Sequence, residues 1–133
     1  MKKHLYLCLI AFLLVLSENG LGQSVSNAEC TSVRTGEFVD GTLSYVTITR
    51  DSVSQVETDT RTGKKSYFKV EWTDSCTYTL TFVKSDEKKM KKSAKKIGVL
   101  TIEITYVDED GYRYYCTAPG LETPIRGSVK RKK

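Results

Sequence analysis

Histidine is nearly absent from this 133-residue chain: the single copy, His4, lies in an N-terminal apolar segment. Histidine is the side chain that most often serves as a general base near neutral pH and as a metal ligand in proteins. No G-x-S-x-G turn, C-x-x-C pair or phosphate-binding glycine loop offers another route to catalysis. The sequence therefore predicts a protein that is not an enzyme and that needs no metal ion or cofactor.

Long apolar runs are also missing, except for one of twelve residues at Leu5–Leu16. Lysines precede this run, and the small residues Gly20 and Gly22 stand at the positions that signal peptidase reads. Twelve helical residues span about 18 Å, which is too short for a hydrocarbon core of roughly 30 Å. We therefore expect a signal peptide at residues 1–22, a mature N-terminus at Gln23, and a secreted or periplasmic protein that does not span a membrane.

Cysteine is scarce, with only Cys30, Cys76 and Cys116 outside the N-terminal segment. In an oxidising compartment three sulfurs allow one disulfide and leave one thiol. Because Cys30 precedes the first predicted strand and has slack to reach a partner, Cys30–Cys76 is the first choice and Cys30–Cys116 the second. Closing a loop of about 46 residues would stabilise the fold by roughly 4 kcal/mol. The predicted role of the bridge is structural.

The charge of residues 23–133 is unevenly distributed around a formal net value of +4. The segment Lys84–Lys96 carries +5 and the tail Lys130–Lys133 carries +4, which leaves −5 on the remainder. A protein that binds polyanions through its whole surface is usually basic throughout. These 111 residues are enough for a single domain, and we expect an acidic body with one basic insertion and a basic tail.

Alternation of apolar and polar residues with a period of two dominates the chain and predicts half-buried strands. The clearest strands are Ser66–Thr73, Cys76–Val83 and Ile97–Val107, and weaker patterns lie at Arg34–Val39, Thr42–Arg50, Val53–Thr58, Tyr112–Ala118 and Ile125–Lys130. The dipeptides Asp40-Gly41 and Asp110-Gly111 suit type I′ hairpin turns. The prediction is an all-β antiparallel meander of about eight strands that forms a small lipocalin-like barrel, with a β-sandwich as the alternative.

One segment, Ser85–Lys96, breaks the alternation and predicts a short lysine-rich helix. Ser85 would cap it, Asp86 and Glu87 would occupy its first turn, and Gly98 would follow its end. A narrow apolar stripe would be formed by Met90, Ala94 and Ile97. The six lysines that follow are here called the basic arm: Lys88, Lys89, Lys91, Lys92, Lys95 and Lys96. The segment is either a solvated connector or an electropositive surface for an acidic partner.

Candidate ligand-binding residues come from the aromatic strands and from one irregular hairpin. Trp72 lies on the apolar face of one predicted strand, and Tyr78, Leu80 and Phe82 lie on the apolar face of the next. These four residues would line a barrel interior, or pack solidly if there is no cavity. Arg50, Gln55 and Glu57 surround a break between two strands, where the spacing of Val53 and Val56 violates alternation and indicates a bulge. A surface hairpin with a charge pair is the plainer interpretation of the same residues.

Two functions follow from these features. The first is an exported, non-enzymatic barrel that binds a small apolar ligand or a cell-envelope component. The second is an interaction module that engages an acidic partner through the basic arm and the basic tail, although export makes nucleic acid an unexpected partner. The acidic residues Asp108, Glu109 and Asp110 are interpreted as turn formers, since they lack the ordered oxygen ligands of a calcium loop.

Three stretches of the chain resemble an uncharacterised family of small secreted β-proteins from Gram-negative bacteria. They are Cys30 with Thr35–Phe38, Ile48–Ser52 with Gln55 and Glu57, and Trp72–Leu80. The resemblance implies a bacterial exported protein with a Cys30–Cys76 disulfide and brings no established activity. Members of the family sometimes carry a DNA topoisomerase label, but this chain lacks the nucleotide and metal motifs that such chemistry needs. Cys116 and the lysine-rich connector depart from the family pattern.

Overall fold

A computed structural model describes residues 24–133, which form a closed antiparallel barrel of eight strands. Each strand pairs with the next along the chain, and the eighth pairs with the first. The strands are β1 (Gly36–Asp40), β2 (Val46–Arg50), β3 (Ser54–Asp59), β4 (Lys65–Trp72), β5 (Thr77–Ser85), β6 (Leu100–Val107), β7 (Gly111–Thr117) and β8 (Ile125–Arg131). Helix α1 (Asn27–Thr31) precedes the barrel, and helix α2 (Lys88–Ile97) joins β5 to β6.

The predicted all-β barrel is therefore confirmed, and the sandwich alternative is not observed. Every predicted strand overlaps an observed one, with ends that differ by a few residues. The expected signal peptide lies outside the described residues. Neither helix within residues 24–133 has the length and apolar character that crossing a membrane requires.

The two ends of the barrel are covered differently. At the end where β2 finishes at Arg50, here called the closed end, α1 and the following turn pack into the barrel, and Cys30 and Val33 have no exposed surface. At the opposite end, here called the open end, α2 and the β7–β8 loop lie across the strands. The N–H of Gly120 in that loop donates to the carbonyl of Ile97, with 2.8 Å between N and O.

A disulfide joins Cys30 of α1 to Cys76 before β5, with Cα atoms 5.1 Å apart. The first-choice pairing is confirmed, and Cys116 is a buried free thiol. Helix α1 was missed because it is only five residues long, although Ser26 and Glu29 form a reciprocal capping box that is visible in the sequence. The disulfide joins α1, which packs into the closed end, to the turn between β4 and β5.

Three local predictions are wrong: the type I′ turn at Asp40-Gly41, the type I′ turn at Asp110-Gly111, and the bulge near Val56. No residue other than glycine within 24–133 has a positive φ, so Asp40 and Asp110 cannot occupy type I′ turns. The predicted bulge near Val56 is absent, because β2 and β3 pair in continuous register from Val46↔Asp59 to Arg50↔Gln55. An irregularity instead lies in β6, where the register shifts between Ile104 and Tyr106, and this turns Tyr106 outward with 42% of its surface exposed.

Helix α2 begins later than predicted. Strand β5 continues to Ser85, which pairs with Ser66 on β4. The hydroxyls of these two serines lie 2.7 Å apart. The residue at the N-cap position is Glu87, whose side chain makes no capping hydrogen bond. The predicted end is confirmed, since Gly98 follows the helix with a φ of 85°. Met90, Ala94 and Ile97 form the predicted stripe, and they are the half-buried residues of a helix that is otherwise exposed.

Candidate functional site

Strand β3 turns polar side chains toward the barrel interior. Its register with β2 places Gln55 beside Arg50 and Glu57 beside Ile48, and Gln55 is only 2% exposed. Asp40 at the end of β1 and Arg50 at the end of β2 share this inner wall. The opposite wall, from β5 to β8, is apolar or aromatic. The interior is therefore amphipathic, with its polar groups concentrated on three adjacent strands.

Arg50 is a buried cation with only 2% of its surface exposed. Its Nε donates to Oε1 of Gln55 at 2.7 Å, and its Nη1 donates to the carbonyl of Val33 at 3.0 Å. Its Nη2 donates to the hydroxyls of Tyr112 and Tyr78, the latter at 3.2 Å. The guanidinium carbon also lies 4.7 Å from the ring centroid of Tyr78. All three guanidinium nitrogens are thus engaged by the protein itself at the closed end.

The environment of Arg50 keeps it charged. Burial acts to lower the pKa of the Arg50 guanidinium, but the nearby oxygens of Tyr112, Tyr78 and Glu57 outweigh that effect and raise it. Burial raises the pKa of Tyr78 well above its ordinary value, so this phenol stays protonated. The Tyr78 hydroxyl therefore acts as a neutral hydrogen-bonding group, and it lies 2.9 Å from the hydroxyl of Tyr112.

Glu57 is a carboxyl of the cavity lining whose pKa is raised in the folded protein. Burial raises the pKa of the Glu57 carboxyl; the hydrogen bond from Gln55 lowers it, the charge of Asp40 raises it, and that of Arg50 lowers it. The Gln55 amide bridges the two charges, since its Nε2 donates to Oε1 of Glu57 at 3.0 Å while its oxygen accepts from Arg50. Glu57 and Arg50 are therefore connected through an amide and form no direct ion pair.

The interior holds a cavity of about 230 Å³. Its polar lining comes from Asp40, Arg50, Gln55, Glu57, Tyr78, Tyr112 and Tyr114. Its apolar lining includes Leu80, Leu100 and Ile102 on the strands, together with Ile97 of α2 and Leu121 of the β7–β8 loop. The covering elements of the open end thus form part of the cavity wall.

Two further spaces adjoin this cavity at Glu57. A cleft of about 430 Å³ lies between the β1–β2 loop, the β3–β4 turn and α2, and includes Tyr45 and Met90 in its lining. A side pocket of about 150 Å³ lies under α2 and contacts Phe82 and Ala94. Glu57 lines the cavity, the cleft and the side pocket. It marks the junction between the outer surface and the barrel interior.

Most of the predicted lining residues lie around these spaces. Tyr78, Leu80, Arg50, Gln55 and Glu57 line the main cavity, and Phe82 lines the side pocket. Their role in binding a ligand stays a prediction.

Trp72 is the predicted lining residue that the cavity excludes. Its ring lies 4.6 Å from that of Tyr78, and the Arg34 guanidinium lies 4.6 Å from the Trp72 ring on the closed side. Trp72 therefore belongs to the packing of the closed end.

No family model, curated protein or solved structure matches this chain. The resemblance to secreted β-proteins described above stays a prediction, and the candidate site must be judged on its own geometry. Among residues 24–133, no group of three histidine, cysteine, aspartate or glutamate side chains is arranged to hold a metal ion.

Several cavity residues are missing from the ligand-binding residues predicted from the sequence, among them Tyr112, Tyr114 and the charged residue Asp40. The dipeptide Asp40-Gly41 was interpreted only as a turn. Oδ1 of Asp40 does accept hydrogen bonds from the backbone N–H groups of Thr42 and Leu43, as in a turn. The available signal was the period of two, which places Asp40 on the same face as the buried Phe38. The plain interpretation of Arg50 and Gln55 as a surface hairpin is likewise wrong, because both are 2% exposed.

The basic arm lies outside the cavity. All six of its lysines are exposed on α2, while the apolar stripe of the same helix faces the barrel. No ion pair within the described residues engages these six side chains. The helix therefore covers the barrel with one face and presents positive charge with the other.

Proposed function

We propose that this protein is an exported, non-catalytic binding protein that holds a small amphipathic molecule inside its barrel. The observation that carries the proposal is the wall of charged groups, Asp40, Arg50 and Glu57, which faces apolar and aromatic side chains across the cavity. A ligand would enter through the cleft beside α2 and would place its apolar part against Leu80 and Ile102. The Cys30–Cys76 disulfide is consistent with an exported protein.

The energetics of the interior support this proposal. Burying charged groups costs free energy unless they are paired and hydrogen-bonded, and an apolar barrel core would avoid that cost. Residues that oppose folding in this way are commonly retained where a binding site needs them. The polar face of β3 is therefore better explained by a ligand than by the stability of the barrel.

The size of the cavity limits the ligand. By proportion with a cavity of about 150 Å³ that accepts benzene, a cavity of about 230 Å³ accommodates roughly nine non-hydrogen atoms. The side pocket and the cleft give room for a somewhat longer molecule. The main cavity by itself is smaller than the roughly 300–1,000 Å³ of most ligand pockets, and only together with the side pocket does it reach the small end of that range.

The chemistry of the lining supports binding over catalysis. Burial first, with the nearby charge of Asp40, raises the pKa of Tyr114 to about 12, so this hydroxyl stays protonated near neutral pH. Arg50 is a saturated cation. The two carboxyl groups of the lining, Asp40 and Glu57, have no activated nucleophile among the described lining residues, because burial raises the pKa of the Cys116 thiol and so disfavours its thiolate.

A calorimetric titration with 1-octanol tests this proposal, because octanol has an apolar chain, one polar head and a suitable size. We expect saturable binding at one site. Ile97→Trp, which fills the cavity, should weaken binding at least about tenfold, a loss of about 1.4 kcal/mol. Val83→Trp is the matched control, since Val83 is 59% exposed on the outside of β5 and should leave binding unchanged.

Absence of saturable binding, or equal effects of the two tryptophan variants, would count against a ligand site in the barrel. Leu121→Trp provides a second obstruction from the β7–β8 loop if Ile97→Trp fails to fold. Circular dichroism of each variant verifies that the barrel is intact.

A second candidate function is the binding of an acidic partner through the basic arm. The observation that favours it is the exposure of six lysines that no carboxylate within the described residues neutralises. Binding to poly-glutamate should weaken steeply as salt rises, because exposed charges are screened. Replacing Lys88, Lys89, Lys91 and Lys92 with glutamine should abolish it, whereas the same replacement of Lys65, Lys69, Arg113 and Arg126, which are exposed outside the arm and the tail, should not. Equal losses in the two variants would assign the binding to net charge alone.

A further inference from the structure

We infer that the barrel cavity takes a cationic amphiphile, whose ammonium group pairs with Glu57 and Asp40 and whose alkyl chain fills the apolar side. This inference rests on the proposed function and names the chemical class of its ligand. It is carried by the positions of the two carboxylates, by the engagement of Arg50, and by the net charge of the lining.

Arg50 has little capacity to bind an anion. Its Nε, Nη1 and Nη2 already donate to Gln55, to the Val33 carbonyl and to two tyrosine hydroxyls. It also lies at the closed end, beyond Gln55 as seen from the cleft. A carboxylate ligand would have to pass Glu57 and would then compete with internal hydrogen bonds that are already made.

The carboxylates of Glu57 and Asp40 are, in contrast, available. One oxygen of Glu57 accepts from Gln55, and one oxygen of Asp40 accepts from two backbone amides. Within residues 24–133, neither carboxylate forms a salt bridge with a lysine or an arginine. Each therefore has a second oxygen that no side-chain cation of the described residues neutralises.

The charge of the lining favours a cation. With both carboxylates ionised, the lining of Asp40, Glu57 and Arg50 carries one net negative charge. A bound monocation brings the site to neutrality, whereas a bound anion raises the imbalance to two negative charges. In a partly buried site with an effective dielectric constant well below that of water, such a difference is large enough to determine which ligand binds.

Neighbouring groups support the same assignment. Asp40 is close enough to Glu57 for its charge to raise the pKa of the Glu57 carboxyl, and a cation bound between the two carboxylates would relieve this repulsion. The ring of Tyr114 lines the cavity beside both carboxylates and stays neutral. An aromatic face beside carboxylates is an environment that stabilises an ammonium group.

Three ligands with the same alkyl chain test the inference: octylammonium, 1-octanol and octanoate. Calorimetry at pH 7.5 and low salt should give the tightest binding for octylammonium, at least about tenfold tighter than for octanol, and the weakest for octanoate. Binding of octylammonium should weaken as the pH falls through the pKa of Glu57, because the ammonium must then displace a proton. Octanol binding should not follow this pH dependence. The charged groups that share the spaces around Glu57 are Asp40 and Arg50 in the cavity and Asp59, Arg61, Lys64, Glu87 and Lys89 in the cleft.

Glu57→Gln distinguishes charge pairing from cavity shape. It should weaken octylammonium binding about tenfold or more, and by a clearly larger factor than octanol binding, because a glutamine keeps the shape and hydrogen bonding of the site and removes only its charge. Asp40→Asn should act in the same direction. The matched control is Glu103→Gln, which removes an exposed carboxylate from β6 and should change neither affinity.

The outcomes separate the inference from the proposed function. Tightest binding of octanoate would overturn the inference, would assign the polar contact to Arg50, and would leave a ligand-binding barrel. Equal losses of octylammonium and octanol in Glu57→Gln would also overturn it, because the residue would then act through shape. If all three compounds fail to bind saturably, the proposed function itself fails.

Discussion

Arg50 shows how a small barrel accommodates a buried cation without a direct carboxylate partner. Its N–H groups are matched by an amide, a carbonyl and two phenols, and its positive charge lies within 5.1 Å of the centroid of Phe38 and 4.7 Å of that of Tyr78. Such rings stabilise a desolvated guanidinium. The cation is therefore part of the structure of the closed end, and the carboxylate of Glu57 is left to the cavity.

Arg50→Met should lower the free energy of unfolding by about 2–3 kcal/mol, because hydrogen bonds that involve a charged donor are lost and their buried acceptors remain. Chemical denaturation measures this change. Arg113→Met is the matched control, since Arg113 is exposed and only covers the outward ring of Tyr106. A loss of less than about 0.5 kcal/mol at Arg50 would contradict the structural role assigned to this network.

Glu57→Gln should stabilise the folded protein at neutral pH. The pKa of Glu57 is raised in the folded state, so the folded protein holds that proton more tightly than the unfolded chain does. The stability that this carboxyl contributes is complete below its unfolded pKa near 4.5 and is lost as the pH rises through the folded value. The variant lacks that loss, and its glutamine oxygen can still accept from Gln55.

Thermal unfolding measured from pH 3 to pH 8 checks this prediction. The wild-type and variant curves should converge at the acidic end and separate as the pH rises, with the variant more stable. Glu103→Gln should run parallel to the wild type throughout. A variant that is less stable at neutral pH would mean that the ionised carboxylate stabilises the barrel, which would remove the energetic support for a functional site.

At the level of elements, the period of two located the strands because most of them bury one face. It failed at β3, where Gln55 and Glu57 point inward and Val56 is only half-buried on the other side. The sequence there has the pattern of a disrupted strand, although its pairing is regular. A polar residue on an inner face cannot be recognised from alternation alone, because alternation is what assigns the faces.

The ends of elements were less predictable for similar reasons. The pairing of Ser66 with Ser85 extends β5 beyond its apolar residues, and this tertiary contact displaces the start of α2. The packing of α1 into the closed end depends on its disulfide and on the burial of Val33. Neither of these tertiary contacts can be predicted from local helix propensity. The apolar stripe of α2 was predictable, since helix geometry alone brings Met90, Ala94 and Ile97 together.

Removing the disulfide should reduce stability strongly while preserving the fold. In a Cys116→Ala background, the Cys30→Ser and Cys76→Ser double variant should lose about 4 kcal/mol by the loop-entropy estimate, given a separation of 46 residues. Urea denaturation gives the value against the oxidised Cys116→Ala protein. A loss below about 1 kcal/mol would show that α1 holds the closed end without its covalent link.

For the whole molecule, the important asymmetry is between the two barrel ends. The closed end is fastened by the disulfide, by the Arg50 network and by a hydrogen bond from Arg131 to the carbonyl of Ser32. The open end is covered by α2, which contributes three half-buried residues and a contact with the β7–β8 loop. Entry of a ligand should therefore involve α2, in which no residue is fully buried.

The central claim is that the polar inner wall of β1–β3 binds a ligand, and a titration of ¹⁵N-labelled protein with octylammonium tests it most directly. Amide resonances of Asp40, Arg50 and Glu57, together with those of α2 and the β7–β8 loop, should shift saturably with a single affinity. Resonances of the β6–β7 turn around Asp108 should not move. Shifts confined to that turn or to the strand exteriors, with none on the inner wall of β1–β3, would contradict the account.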